Sequence, residues 1–221
     1  MFAYFILCLL CSPVIAEGLP WQRVMAVSGK AEHRRPGAAA WRPLTKGLLL
    51  KKGTKLRTSE KSTVQIGLDS SFHAGAQLTP KSLLIVLSEN PLKVYLEKGS
   101  VFFLCENEVQ PPIENSVKRA AAGDVIFIST PHLTIQLHSG GFGVTTSEKG
   151  TLLSVYSESV RWAPRPTKGR DAFQRGEEGF GYWIKAHETA AAARRMHYDD
   201  YLSWQEWMKN FMELRDDALM P

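Results

Sequence analysis

From Trp21 to about Val160 the chain is a series of short apolar runs that alternate with polar residues and stop at glycine, proline or Asp-Ser turns. A period of two sends successive side chains to opposite faces of a strand, so this region predicts a β domain. "RVMAV" ends at Ser28-Gly29, and Val64, Ile66 and Leu68 alternate in "TVQIGL". "SLLIVL" is apolar throughout, as expected of a strand buried on both faces. "LKVYLEKGSVFFLC" reads as two runs with Gly99 at a turn, and "DVIFIST", "LTIQLH" and "TLLSVYSESV" follow, for about eight or nine strands. Gly53, Gly75, Gly99 and Gly123 sit beside such runs, where a tight turn uses a positive φ. "SGGFG", from Ser139 to Gly143, reads as a bend, and Asp69-Ser70-Ser71 as a hairpin turn.

Periodicity does not choose among a sandwich, a barrel and a β-solenoid. In this reading Val64, Ile66 and Leu68 face the core, while Gln65 and the ridge from Lys51 to Arg57 face outward. The segment "ENEVQPPIENSVKRAAAG" interrupts the series, because Pro111-Pro112 cannot join a central ladder, and reads as an exposed excursion.

The two ends differ from the middle. The opening "MFAYFILCLLCSPVIAEG" is an uncharged apolar run closed by Val14-Ile15-Ala16, the pattern of an export signal cut after Ala16. It falls short of the roughly 20 residues a membrane span needs. The expected divisions are a signal at 1–16, a β domain at 21–162, a linker at 163–180 and a helical segment at 181–221. The linker rests on "APRPTKGRDAFQRGEEGFG", rich in proline, glycine and charge. The helix rests on an alanine run without internal Gly or Pro, with Asp199 and Asp200 suited to a helix start and Ser203 with Glu206 to a capping box. Trp204, Trp207, Met208, Phe211 and Leu214 fall on one face, which can dock on its own domain, fill a partner's groove or lie on a membrane.

Cys8 and Cys11 leave with the signal, so Cys105 stays alone in "SVFFLC", packed and inert, and thiolate metal sites and an internal disulfide are excluded. The net charge of +5 belongs to the exported part and favours acidic partners. Arg34-Arg35, then Lys51, Lys52, Lys55 and Arg57, then the series Arg161, Arg165, Lys168, Arg170 and Arg175 are its densest patches. Outside the cell these suit an anionic glycan or an envelope protein better than nucleic acid.

No catalytic signature stands out. His187-Glu188 lacks a second histidine at zinc-protease spacing, and no G-x-S-x-G, S-x-x-K or phosphate loop is present. His33, His73, His132 and His138 are scattered through the β region, which gives no local metal or acid–base cluster. No cofactor and no catalytic residue is therefore expected. The candidate partner-binding residues are Trp204, Trp207, Phe211, Lys51, Lys52, Lys55 and Arg57.

With strands and turns placed, the block from Trp41 to Val86 resembles the FecR domain family. The similarity lies in Trp41-Arg42-Pro43-Leu44, Gly47, Leu50, Gly53, Leu56, Thr58, Val64-Ile66-Leu68, Asp69-Ser70-Ser71, Leu78, Pro80 and Ser82-Leu83. "VYLEKGSVFF" and "FISTPHLTIQLHSGGFGV" continue it, for coverage from about Gly29 to Val160. The pattern departs at Gly140-Gly141, where the family often has Gly-Thr, and near Glu158-Ser159, where it has glycine. The resemblance implies a periplasmic, mainly β module of short strands, solenoid-like or a sandwich, that senses or binds, and it implies nothing about a reaction. Family members that regulate sigma factors carry a cytoplasmic region and a membrane helix ahead of this domain. Here an export-signal pattern precedes it, so iron-uptake type signalling is expected only in an accessory role. An envelope enzyme acting on cell-wall polymer is the remaining alternative.

Overall fold

The computed structural model describes residues 22–69, 73–106, 126–165 and 173–219. The expectations for the signal at 1–16, for Ser70-Ser71, for residues 107–123 of the excursion and for residues 166–172 of the linker lie outside them.

The chain is mainly β, with a single C-terminal helix among the described residues. Its strands form two sheets that share one long strand, and the assembly is not closed. Sheet I runs β1 (Arg23–Ser28), β5 (Thr63–Gly67), β6 (Ala74–Leu78), the second half of β8 (Leu92–Cys105), β11 (Gly140–Ser147), β12 (Gly150–Ser157), β15 (Phe180–Lys185) and β16 (Ala191–Arg195). Sheet II runs β3 (Arg42–Pro43), β2 (Ala31–Arg34), β4 (Lys55–Thr58), β7 (Leu83–Glu89), the first half of β8, β9 (Ile126–Ser129), β10 (Leu133–Leu137), β13 (Ser159–Pro164) and β14 (Gln174–Glu177). In both sheets the order nearly follows the chain, because successive hairpins alternate between layers. Pairing is antiparallel except between β8 and β9.

Two of the corners that switch sheets share one device. Gly29, between β1 and β2, and Gly99, inside β8, have φ of +76° and +89°, which a side chain disfavours. The next residue then donates its backbone N–H to a buried serine, Lys30 to Ser62 Oγ at 2.8 Å and Ser100 to Ser82 Oγ at 2.9 Å. A Cβ at either glycine would strike that same serine. Gly99 thus bends one 14-residue strand across both layers, where the sequence predicted two strands and a turn.

Inward residues of the two sheets form one core. Val64, Ile66, Val101, Phe103 and Phe142 of sheet I meet Leu56, Leu84, Val94, Ile128, Ile135 and Trp162 of sheet II. The expected inward face of β5 is observed: Val64, Ile66 and Leu68 are buried. "SLLIVL" differs from expectation, because Leu84 and Val86 are buried while Leu83 and Ile85 are half-buried and Leu87 is exposed on the outer face of sheet II.

Among the described residues there are sixteen strands, against the eight or nine expected from Trp21 to about Val160. The additional ones are polar, glycine-rich or alanine-rich ("AEHR", "KLRT", "GGFGVTTS", "QRGE", "AAARR") and carry little apolar alternation. Within the expected linker, β14 pairs with β13. In the expected helical segment, "FGYWIK" and the alanine run are a hairpin on the edge of sheet I. Alanine's helix preference is a fraction of a kcal/mol per residue and yields to the ladder of hydrogen bonds offered by β15. The helix α1 starts only at Tyr198 and runs to Leu219. Asp200 caps it, accepting the His197 N–H at 2.8 Å, so Ser203 is inside the helix and not its cap.

Candidate functional site

The outer faces of the two sheets have opposite fates. On sheet I, Met25, Phe102, Leu104 and Tyr156 point away from the core and are covered by α1. Trp204 stacks on Tyr156 with centroids 5.0 Å apart, and Trp207 stacks on Phe102 at 5.8 Å. Glycines make room for them: a Cβ at Gly75 would overlap the Phe211 ring, and one at Gly141 the Trp204 ring. "SGGFG" is therefore more than a bend, since only Gly140 has a positive φ, while Gly141 lies in β11 as a recess for the helix. Arg215 ties the far end of α1 to Glu106 at 2.7 Å.

This arrangement corrects one expectation. Trp204, Trp207 and Phe211 are 6%, 1% and 0% exposed, so they are spent on the intramolecular contact and offer no free surface to a partner. The indole nitrogens of Trp204 and Trp207 have no hydrogen-bond partner, so docking rests on buried area and ring stacking.

On sheet II, nothing among the described residues packs over the outer face in this way. Lys55 and Arg57 of β4 lie there, half-buried and exposed, whereas Lys51 and Lys52 lie in the β3–β4 loop. The expected ridge is thus divided. Trp41 joins Arg34 and Arg57, whose guanidinium carbons lie 5.1 and 4.2 Å from its ring centroid. Lys93 sits 5.3 Å from the Phe127 ring, and Arg161 sits 5.5 Å from Phe173. Register then sets two rows across the strands. Arg34 faces Lys55, which faces Ile85, which faces Tyr95. Lys93 faces Phe127, which faces Gln136, then Arg161, then Arg175. At the usual strand spacing the second row spans about 19 Å.

Like charges directly opposite one another repel, and both rows contain such a pair, Arg34 with Lys55 and Arg161 with Arg175. Glu32, Glu97 and Glu177 are the opposing acids on this face, and Glu32 is held by Arg57 at 2.6 Å. The sequence marks the arginine clusters but not their pairing with Trp41, Phe127 and Phe173. The signal was parity: Arg57, Lys93 and Arg161 occupy outward positions between buried neighbours, and Arg34 follows the buried His33.

A pocket of about 410 Å³ opens beneath the β3–β4 loop, lined by His33, Arg35, Leu48, Leu49, Lys51 and Thr54. His33 shares the inward parity of Ala31 and is 6% exposed, yet neither ring nitrogen has a partner. An unpaired buried polar group costs about 1–3 kcal/mol.

The remaining histidine of chemical interest is His132. Its Nδ1 lies 2.9 Å from Thr151 Oγ1, which is also 2.7 Å from Thr146 Oγ1 and 3.2 Å from Thr130 Oγ1. Thr151 is wholly buried and bonded to its neighbours, which suits a satisfied interior hydroxyl rather than a nucleophile that must meet substrate. Burial, then the nearby charge of His187, holds the His132 imidazole below the usual histidine range. Cys105 is half-buried against the core, with Sγ 3.4 Å from the His138 carbonyl. Among the described residues no group of three or more His, Cys, Asp or Glu is placed to hold a metal, and no helix is long and apolar enough to cross a membrane.

No family model matches the chain, and no curated protein matches it. Two solved structures, each described as a candidate anti-sigma factor from Parabacteroides distasonis ATCC 8503, are similar to it with a TM-score of 0.50 in both cases. Identities are 13% and 11%, and the match covers 68% of this chain and 63% and 64% of theirs, less than two thirds of their length. The likeness is one of fold: the two-layered, mainly β architecture is shared with proteins carrying that description.

Proposed function

We propose that this is an exported, non-enzymatic binding module of the FecR type, which holds an anionic glycan of the cell envelope on the outer face of sheet II. The turn-and-strand pattern that resembles the FecR domain, and the fold likeness to the two bacterial structures, support the family reading. One observation carries the ligand class. Two like-charge cross-strand pairs are kept on an open face, interleaved with aromatic rings. An acidic polymer laid along the rows relieves that repulsion, and sugar rings find flat partners in Trp41 and Phe127.

The test is titration of the pure protein with an acidic and a neutral polysaccharide at several salt concentrations. The acidic polymer should bind, with affinity falling as salt rises. The double variant Lys55→Ala/Arg161→Ala should weaken it by about tenfold or more. Equal binding of the neutral polymer, or an unaffected variant, sinks the glycan reading, and bond cleavage in cell-wall polymer sinks the non-enzymatic one. A second reading, an accessory role in cell-surface signalling, is favoured by the description carried by the two similar structures. It requires capture of an acidic protein by the same face.

A further inference from the structure

We infer that the pocket beneath the β3–β4 loop binds a small organic carboxylate with an apolar body. An imidazole has at least one N–H to donate in every tautomer, and buried groups of this kind are normally paired. His33 is inward-facing and 6% exposed, with both nitrogens unpartnered, and it lines the cavity. Both ring nitrogens are sealed in this structure, so the missing partner is an acceptor that meets one of them when the imidazole turns toward the pocket. Arg35 and Lys51 flank the same space, and none of the six lining residues is acidic, so that acceptor is anionic. Leu48 and Leu49 supply an apolar wall, and Leu49 is left 44% exposed, which gives the body of the ligand a place. The volume of about 410 Å³ lies in the range of small-molecule sites.

The rim is already fixed. Lys51 N–H donates to Thr54 Oγ1 at 3.2 Å and Thr54 N–H to the Lys51 carbonyl at 2.9 Å. Gly53 N–H and the Thr54 carbonyl are bonded to Val86 of β7, at 2.7 and 3.0 Å. Little ordering is left to oppose binding. The site lies on the inward side of β2, apart from the outer face of sheet II, so it stands or falls independently of glycan binding.

The experiment uses the full chain with nitrogen-15 histidine. The ring resonances of His33 and the thermal midpoint are followed as hexanoate or benzoate is added, with hexanol and inorganic phosphate as the other arms. Either carboxylate should move the His33 ring signals and raise the midpoint, while hexanol and phosphate do neither. His33→Phe, which keeps a ring in the core, and Lys51→Ala, on the exposed rim, should each weaken binding about tenfold, the loss of one charge-assisted hydrogen bond. The inference is overturned if the carboxylates leave the ring signals in place, if phosphate or hexanol matches them, or if Lys51→Ala binds as the parent does. Glycan affinity should be unchanged in His33→Phe, so failure here does not imply failure of the outer-face reading.

Discussion

Gly141 has no side chain, and that absence lets the Trp204 ring reach the sheet. A methyl there meets an aromatic ring that cannot retreat without losing its stack on Tyr156. Gly141→Ala should therefore cost about 1–3 kcal/mol, as overpacking does. Gly181→Ala is the matched control, since its Cβ would find Leu152 at an ordinary 3.5 Å. Denaturant unfolding of the two variants checks this, and equal midpoints would remove the recess from the account. Glycines at alternate positions in a strand were visible in the sequence, but what needed the space was not. The ring that fills the recess at Gly141 comes from more than sixty positions along the chain, and no local pattern links them.

The helix α1 acts as the lid of sheet I. Its apolar stripe was legible from spacings of three and four, but whether it meets a sheet, a groove or a membrane depended on what the β domain leaves uncovered. Met25, Phe102, Leu104 and Tyr156 supply that surface. Trp207→Ala should destabilise by about 3–5 kcal/mol, the cost of emptying a large buried site. Removal of the chain from Tyr198 onward should expose the outer face of sheet I, raising binding of a hydrophobic dye and lowering solubility. A truncated protein that stays soluble and dye-silent would mean that the helix is dispensable. The cut must not fall at Tyr182, which lies inside β15 and pairs with β12. Strand β16 shows the limit of local preference: three alanines in a row are extended because β15 offers a partner.

For the whole molecule, a single core joins both sheets through β8, so damage at one inward position is felt in both layers. Ile66, 1% exposed, faces that core from β5. Ile66→Asp places a carboxylate where no partner waits, and a loss of about 4 kcal/mol or more is expected. Far- and near-ultraviolet circular dichroism should show both layers lost in one transition. An unchanged melting curve would mean that Ile66 does not face the interior. The two outer faces make the molecule asymmetric. One is apolar, recessed by glycine and sealed, and the other is basic, aromatic and open.

The amino-acid order by itself determined the strand-rich class, the inward parity of β5 and the apolar stripe of the last helix, because each is a local periodicity written in adjacent residues. Only the tertiary structure decided that "LKVYLEKGSVFFLC" is one bent strand, that Trp204 and Phe211 are sealed against glycines, and that Arg34 faces Lys55. Those are facts of register and of distance between segments remote in sequence. They are set when hydrogen-bond ladders and a shared core select one pairing from the many that short strands permit.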